Sequence, residues 1–191
     1  QLPDNKVMVN WGIDEAQVLK NLNIKVPSPI EGKYKWTGKY TPFEHQKTTS
    51  SFLTLNKRAF CFNEQGTGKT ASAIWAADYL MNEGHIKRAL VICPLSIMDS
   101  AWRNDLFTFA MHRTVDVAYG PAAKRRGIVN NGADFVIINY DGVEIVSEAI
   151  ANPKMAATQK AFLECDMAAV AGRPPSAVQC RGARRSHPHP S

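Results

Sequence analysis

Long apolar runs are missing from this 191-residue sequence. No run approaches the roughly 20 residues that a helix needs to cross a membrane. The N-terminal stretch Gln1–Asp4 also lacks the basic-then-apolar order of a secretory leader. We therefore expect a cytoplasmic protein without a membrane partner, and the absent initiator Met predicts a fragment or a processed N-terminus.

Cysteine is scarce, and its four copies lie far apart in the sequence. No Cys-x-x-Cys pair occurs, which argues against a zinc site and against a disulfide framework. Two of the cysteines sit inside apolar runs, where a thiol behaves as a small hydrophobic group. The set, which consists of Cys61, Cys93, Cys165 and Cys180, suits a reducing compartment.

Acidic residues are absent from residues 171–191, which carry four arginines and four prolines. Without those arginines, 19 basic residues face 17 acidic ones in the first 170 residues, a net charge of +2. Bulk charge alone therefore does not predict a polyanion as partner. Because this end also has almost no large apolar side chains to offset its ordering entropy, we predict a disordered basic tail within residues 152–191.

The chain does contain a strand–loop–helix pattern around two glycines. The apolar run Ala59–Phe62 precedes Gly66 and Gly68, and Lys69 and Thr70 then open a stretch rich in helix formers. This order is typical of a phosphate-binding loop, whose glycines turn backbone amides inward next to a helix N-terminus. The pattern predicts that Lys69 binds the β- and γ-phosphates of a nucleotide and that the Thr70 hydroxyl is a ligand of Mg²⁺. An ordinary turn containing Gly-Lys-Thr is the alternative.

Three further segments read as strands, and two of them are continuous apolar runs with the composition of strands buried on both faces of a parallel sheet. Helical spacing follows each of them; apolar residues from Met98 to Phe109, for example, recur at four, four and three. This alternation predicts a doubly wound α/β fold with a parallel sheet and with ligands at the carboxyl ends of the strands. The predicted strands are Ala89–Cys93, Val115–Tyr119 and Phe135–Ile138, and the predicted helices are 98–109, 122–129 and 143–151.

The residues before the glycine loop predict a lead-in and one long helix. Val7–Trp11 alternates like a short strand, and Asp14 is placed to cap a helix. Thr41-Pro42 has the order of an N-cap and a first helical residue, which predicts a helix over residues 43–55. Basic and aromatic side chains of residues 33–40 can either stack on bases or pack as part of a solvated loop.

Four ordered motifs resemble superfamily-2 helicases, and within them the Swi/Snf-type translocases in their shorter phage versions. The resemblance covers roughly residues 40–145. At Asn63 the family often has an acid, and the interval from Pro94 to Trp102 is one residue longer than in the family. The matching segments are Thr41–Gln46, Asn63–Thr70 (motif I), Val91–Trp102 (motif Ia) and Val136–Tyr140 (motif Ib).

The resemblance implies a RecA-like, P-loop ATP-binding domain over residues 38–151, behind a lead-in of residues 1–37, that acts on double-stranded DNA. Gln46 then reads the adenine edge, with Tyr40 or Phe43 as a stacking ring. Ser96 and Asn139 become contacts for nucleic-acid phosphates, or else they cap a helix and form a turn. The residues implied for ATP and Mg²⁺ are Gln46, Gln65, Gly66, Thr67, Gly68, Lys69 and Thr70, of which Lys69 and Thr70 are the catalytic candidates and Thr70 the metal ligand.

Two parts of the family's machinery are missing. No Asp-Glu pair, which holds Mg²⁺ and orients the attacking water, follows Tyr140, and Glu164-Cys165-Asp166 has no convincing strand before it. The second RecA-like domain, which supplies the arginine finger, is absent as well. We therefore expect the front half of a motor's first domain, cut by a truncation or reading-frame change near residue 152, that binds ATP but hydrolyses it poorly.

Two other functions stay open at this point. One is a nucleotide-binding module without turnover, because the catalytic acids are not encoded. The other is an unrelated P-loop ATPase in which Asp141, at the end of a predicted strand, serves as the magnesium acid.

Overall fold

A computed structural model describes residues 8–145 and 147 of the chain. In this part the chain forms six α-helices and three strands, joined mostly by short connections. The helices are α1 Ile13–Asn21, α2 Pro29–Lys33, α3 Glu44–Leu55, α4 Lys69–Asn82, α5 Asn104–Phe109 and α6 Ala122–Asn130, and the strands are β1 Ala89–Ile92, β2 Val115–Ala118 and β3 Phe135–Ile138.

The three strands form a parallel sheet in the order β1-β3-β2. Along β3, Phe135 and Ile137 face a core built with α4 and α5, while Val136 and Ile138 belong to a second core that includes Val129 of α6. Both faces of the sheet are therefore covered, which explains why β1 and β3 read as continuous apolar runs, whereas the edge strand β2 contains Asp116. The predicted doubly wound α/β fold is confirmed.

Helix α4 lies at the centre of the molecule. Every residue from Thr70 to Leu80 is buried, and α4 packs against both α3 and α5. The indole ring of Trp75 meets the rings of Trp36 and Phe109 edge-on, at centroid distances of 5.6 and 5.1 Å. Gly84, with φ of 75°, follows the C-cap residue of this helix in the left-handed conformation that commonly terminates helices. The glycine loop is therefore anchored to the most buried helix of the described structure.

The predicted strand Ala59–Phe62 is not formed, and this expectation was wrong. The segment is not part of the sheet, and exposure alternates along it: Phe60 and Phe62 are 74% and 85% exposed, whereas Ala59 and Cys61 are half-buried. The two phenyl rings stack on each other at 5.8 Å. A strand requires a partner strand, and the described residues supply none beside this segment.

The lead-in packs into the main core rather than forming a separate layer. Ile13 of α1, Ile30 of α2 and Tyr34 belong to the same hydrophobic cluster as α4. The short strand predicted for Val7–Trp11 is not present among its described residues, 8–11. Helix α1 begins at Ile13, one residue before the predicted cap.

Helix α3 begins at Glu44 instead of after a Thr41 cap. Phe43 is its N-cap residue, and the N–H of Phe43 donates to Oε1 of Gln46 at 3.0 Å. The side chain of Gln46 therefore accepts from the N-cap backbone N–H, as the N3 residue does in a capping box. This shift brings Gln46 into the first turn of the helix, beside the glycine loop.

The connection from β1 to α5 contains an unusual helical turn. Residues Leu95–Ile97 form a 3₁₀ turn, and Met98–Arg103 form a π-helix that continues into α5. The predicted apolar stripe is confirmed, because Met98, Trp102 and Leu106 are all buried to 2% exposure or less.

Several predictions fall on residues outside the described part of the chain. The tail of residues 152–191, with Cys165 and Cys180, is among them, and so is most of the helix predicted for residues 143–151. Within the described residues, no helix combines the length and the apolar character needed to cross a membrane.

Candidate functional site

Two glycines give the loop before α4 its shape. Gly66 and Gly68 have φ angles of 79° and 76°, in the left-handed region that other residues adopt only with strain. Gly68 is the N-cap residue of α4. A Cβ atom at Gly68 would overlap the carboxamide of Gln46, whereas a Cβ atom at Gly66 would point into open space. Gly68 is therefore required for its conformation and for the close approach of α3, and Gly66 for its conformation alone.

The ammonium group of Lys69 closes the loop from inside. Its Nζ donates to the carbonyl oxygens of Asn63 and Glu64, both at 2.7 Å. The Thr67 hydroxyl donates to the same Glu64 carbonyl at 2.8 Å. The loop thus wraps around the ammonium group of Lys69, and phosphate oxygens can replace the two carbonyl oxygens as its hydrogen-bond acceptors.

The N-terminus of α4 fits an anion. This helix has 14 residues, and no side chain caps its N-terminus, so its first amide groups are available to an acceptor. Thr70 stands in the first turn and is buried. Among the described residues, no group of three or more His, Cys, Asp or Glu side chains converges on one point. For Mg²⁺ the loop itself therefore offers the Thr70 hydroxyl and no carboxylate cluster.

Side chains from α3 hold the loop from the outside. Nε2 of Gln46 donates to the Thr67 carbonyl at 3.2 Å, and Nε2 of His45 lies 3.0 Å from the same oxygen. The ring of Phe43 stacks on the ring of His45, with a centroid distance of 5.7 Å and an interplanar angle of 10°. Both rings predicted to stack on adenine are exposed, Phe43 to 69% and Tyr40 to 56%, but Phe43 lies in the same helix start as Gln46, whereas Tyr40 lies against Phe109.

Asn63 ties the start of the loop to the same helix. Its Nδ2 donates to Oγ1 of Thr49 at 2.8 Å, and the Thr49 hydroxyl donates to the His45 carbonyl at 2.7 Å. The carboxamide of Asn63 supplies the N–H donor for the hydrogen bond to Thr49. The Asn at this position, where the family that the sequence resembles often has an acid, therefore has a structural partner.

Ser96 and Asn139 lie at the same edge of the sheet, because each follows the carboxyl end of one of two neighbouring strands, β1 and β3. Ser96 is exposed on its 3₁₀ turn. Asn139 is 6% exposed, and its carboxamide accepts from Nη1 of Arg125 at 3.1 Å and donates to Asp141 at 3.0 Å. Only Ser96 of this pair presents its side chain openly to a ligand.

Arg125 and His45 are the residues at these sites that the sequence did not single out. Nε of Arg125 donates to the Gly120 carbonyl at 2.6 Å while Nη1 reaches Asn139, so the guanidinium joins the ends of β2 and β3. The basic run in α6 was a signal for Arg125. His45 gave no signal besides standing next to Gln46. Nearby, burial raises the pKa of the Cys93 thiol to about 11, so this thiol stays neutral at the end of β1.

Comparison with known proteins points in one direction. The profile of the SNF2-related domain matches residues 45–165 of this chain. Putative protein p41 of Acyrthosiphon pisum secondary endosymbiont phage 1 is 29% identical over 108 residues, which are 54% of this chain and 24% of that protein. The chain thus spans about a quarter of the length of this relative.

Solved structures give the same direction for the fold. The SWI2/SNF2 ATPase core domain of Sulfolobus solfataricus matches with 22% identity and a TM-score of 0.52, over 68% of this chain and 26% of that one. The core from the same organism in complex with dsDNA matches with 26% identity and a TM-score of 0.48, over 56% and 23% of the two chains. The UvsW helicase of bacteriophage T4 matches with 14% identity and a TM-score of 0.48, over 79% and 58%.

Proposed function

Because the chain belongs to the SNF2-related domain family, we propose that it is the ATP-binding front part of an ATP-dependent helicase or translocase that moves on DNA. The observation that carries this proposal is the glycine loop. Two left-handed glycines, an inward ammonium and an uncapped helix N-terminus converge within residues 63–70. Such a loop is built to receive a polyphosphate.

In this proposal each residue of the loop has a separate task. Lys69 exchanges its two carbonyl partners for oxygens of the β- and γ-phosphates, and the amides near Gly66 and Gly68 donate to the remaining oxygens. Thr70 contributes a hydroxyl ligand to the cation. Bound MgATP would supply the phosphoryl group, and its Mg²⁺ would supply the positive charge that neutralises the phosphates during transfer.

Adenine recognition is assigned to Gln46 in the first turn of α3. This side chain already contacts the loop through Thr67, so it stands between the base and the phosphates. Phe43, exposed and adjacent, is the better candidate of the two rings for stacking on the base, since Tyr40 is held against Phe109. One face of the Phe43 ring stacks on His45, and the opposite face then stacks on the base.

Duplex DNA is proposed as the second ligand, at the sheet edge where β1 and β3 end. Ser96 is exposed there and supplies a hydroxyl donor for a phosphate. Asn139 acts through Arg125 and Asp141, since its own amide is engaged with both. An archaeal SWI2/SNF2 core has been solved in complex with dsDNA, which supports a duplex rather than a single strand as the ligand.

Poor hydrolysis is proposed for the chain as it stands. The sequence carries no Asp-Glu pair after Tyr140 and spans about a quarter of its phage relative, so the acids and the second RecA-like domain are assigned to polypeptide outside it. Binding without turnover is therefore the second candidate function. The alternative in which Asp141 holds Mg²⁺ is disfavoured, because its carboxylate accepts from Asn139 in a cluster with Arg125.

The test is a nucleotide titration of this chain with a fluorescent ATP analogue and Mg²⁺. We expect saturable binding, its loss in Lys69→Ala, and no change in Lys87→Ala, which removes an exposed lysine outside the site. ATP hydrolysis is then measured with and without duplex DNA, on this chain and on a longer polypeptide. DNA-stimulated hydrolysis by the longer polypeptide alone supports the proposal, whereas absence of binding by the wild-type chain overturns it.

The domain boundaries are proposed together with this function. The SNF2-related match runs to residue 165, past the boundary predicted near residue 152, so only residues 166–191 are assigned to a replaced end that does not belong to the motor. Translation of the two other frames of the coding DNA tests this assignment. An Asp-Glu pair after a strand in one of these frames supports it, and its absence from both counts against it.

A further inference from the structure

One carbonyl oxygen of the glycine loop accepts two hydrogen bonds from helix α3. Thr67 O lies 3.0 Å from Nε2 of His45 and 3.2 Å from Nε2 of Gln46. Since a carbonyl offers only acceptor sites, the His45 ring carries its proton on Nε2 in this contact. Besides the Asn63–Thr49 hydrogen bond at its start, the loop is thus fastened to α3 at the peptide group between Thr67 and Gly68.

Fixing the Thr67 carbonyl also fixes the direction of the Gly68 N–H. The described residues contain no cis peptide bond, and in a planar trans peptide the N–H points opposite to the C=O. With the Thr67 oxygen turned toward α3, the N–H of Gly68 is directed away from α3. This peptide precedes a glycine with φ of 76°, where no Cβ atom resists rotation, so the peptide plane reverses easily unless something holds it.

The two donors are not equivalent once a nucleotide binds. Gln46 spans from the Phe43 N–H to Thr67, so any movement toward a base weakens its bond to the loop. The His45 ring is kept in place by the stacked ring of Phe43 and makes no contact that a base would replace. His45 is therefore the donor that still holds the peptide when Gln46 turns to the base.

We propose that His45 is a positioning residue for phosphate binding, whose Nε2–H keeps the Thr67–Gly68 peptide turned so that the Gly68 N–H faces the phosphates. The inference rests on the proposed function, because it concerns the same loop. In this proposal His45 supports phosphate binding, whereas Gln46 recognises the base. The two residues are next to each other in the sequence, yet their loss has different consequences.

Two ligands separate these consequences: ATP and inorganic tripolyphosphate, which has no base. We expect His45→Ala to weaken both ligands by the same factor, about three- to tenfold, the range of one hydrogen bond between neutral groups. Gln46→Ala is expected to weaken ATP more than tripolyphosphate. Affinities come from calorimetric titration, and thermal unfolding without ligand checks that each variant is folded.

Replacements of matched size test the geometry. His45→Gln carries an N–H donor about as far from the backbone as Nε2 of histidine, so we expect it to restore binding of both ligands to within about twofold. His45→Asn has the same donor on a shorter side chain and is expected to behave like His45→Ala. His85→Ala, which removes an exposed histidine near the end of α4, is the control that leaves both affinities unchanged.

The outcomes distinguish the inference from the proposed function. Binding of both ligands by the wild-type chain, with His45→Ala unchanged or weakened only for ATP, overturns the role of His45 and leaves ATP binding intact. Equal loss in His45→Asn and His45→Gln also overturns it, since a suitably placed donor then has no effect. A wild-type chain that binds neither ligand overturns both.

Discussion

At the scale of single residues, the two glycines of the loop have unequal roles. Both adopt left-handed φ angles, but only Gly68 lies against another side chain, that of Gln46. An alanine at Gly66 meets conformational strain of about 1–2 kcal/mol and open space. An alanine at Gly68 meets the same strain and a steric overlap in addition.

We therefore predict that Gly66→Ala weakens nucleotide binding by about five- to thirtyfold, the equivalent of the strain alone, and that Gly68→Ala weakens it further because its Cβ displaces the carboxamide of Gln46. Titration of both variants with the same fluorescent nucleotide measures the difference. Gly127→Ala, at a glycine of α6 with open space around it, is the control. Equal affinities of the two loop variants would show that the overlap with Gln46 has no effect.

At the scale of secondary structure elements, α4 carries a fully buried carboxylate. Asp78 accepts hydrogen bonds from the Tyr34 hydroxyl, from Nε2 of His112 at 2.9 Å and from Nε of Arg113 at 2.5 Å. Burial, together with the bond to Asp78, raises the pKa of Tyr34, so its hydroxyl remains a donor across the usual pH range. The Asp78 carboxylate of α4 thus links Tyr34 of the lead-in to His112 and Arg113, which precede β2.

Loss of this charge is expected to destabilise the fold. Asp78→Asn leaves the half-buried guanidinium of Arg113 without its main counter-charge, and we predict a loss of about 3 kcal/mol in the free energy of unfolding, measured by urea denaturation. Asp99→Asn removes an exposed carboxylate that pairs with Arg103, and we expect it to cost under ~0.5 kcal/mol. Similar losses for the two variants would contradict the role of Asp78.

The π-helix at Met98–Arg103 accounts for an irregularity of the sequence. The resemblance predicts an interval from Pro94 to Trp102 that is one residue longer than in the family, and a π turn holds one more residue than an α turn because its hydrogen bonds run from i to i+5. We infer that this turn absorbs the predicted extra residue, since Trp102 is buried at 1% exposure.

Deletion of Ser100, an exposed residue of the π turn, should therefore convert it to an α turn with a loss of stability below about 1 kcal/mol. Deletion of Thr48, exposed in the regular helix α3, rotates the preceding turn by about 100° and should unfold the chain or displace Gln46. Circular dichroism and thermal unfolding compare the two deletions. Equal damage by both deletions would argue against an absorbed insertion.

The elements that the sequence predicted well are those whose signal is local. The strands β1 and β3 appear as apolar runs, and the spacing from Met98 to Leu106 marks a buried face. Ala59–Phe62 has an equally apolar composition but no partner strand in the described residues, and pairing is not encoded in the segment itself. His45 escaped prediction for a similar reason, because its role depends on a carbonyl of the loop that is remote in sequence.

At the scale of the whole molecule, the Swi/Snf resemblance drawn from four motifs is confirmed by the SNF2-related profile over residues 45–165 and, for the fold, by the archaeal core at a TM-score of 0.52. The described part accounts for a three-stranded sheet with both faces covered. The roles of the individual site residues remain predictions, because similarity of fold does not assign them.

Phe60 and Phe62 form the apolar patch of this molecule that is easiest to test. Both rings are more than 70% exposed and stacked on each other. We predict that the double variant Phe60→Ser/Phe62→Ser lowers binding of the dye ANS and concentration-dependent self-association without lowering the melting temperature. Phe107→Ser, at a single exposed ring, should change neither. A large fall in melting temperature in the double variant would mean that the rings are buried in solution.

The central position of α4 has a mechanical consequence. This helix, about 20 Å long, carries Lys69, the lysine proposed to bind phosphates, at one end, and Asp78, near its other end, is hydrogen-bonded to Tyr34 of the lead-in. A force applied to a bound polyphosphate is therefore transmitted along α4 to the hydrogen-bonded cluster around Asp78. When the chain is stretched between its termini, α4 should be among the last elements to give way.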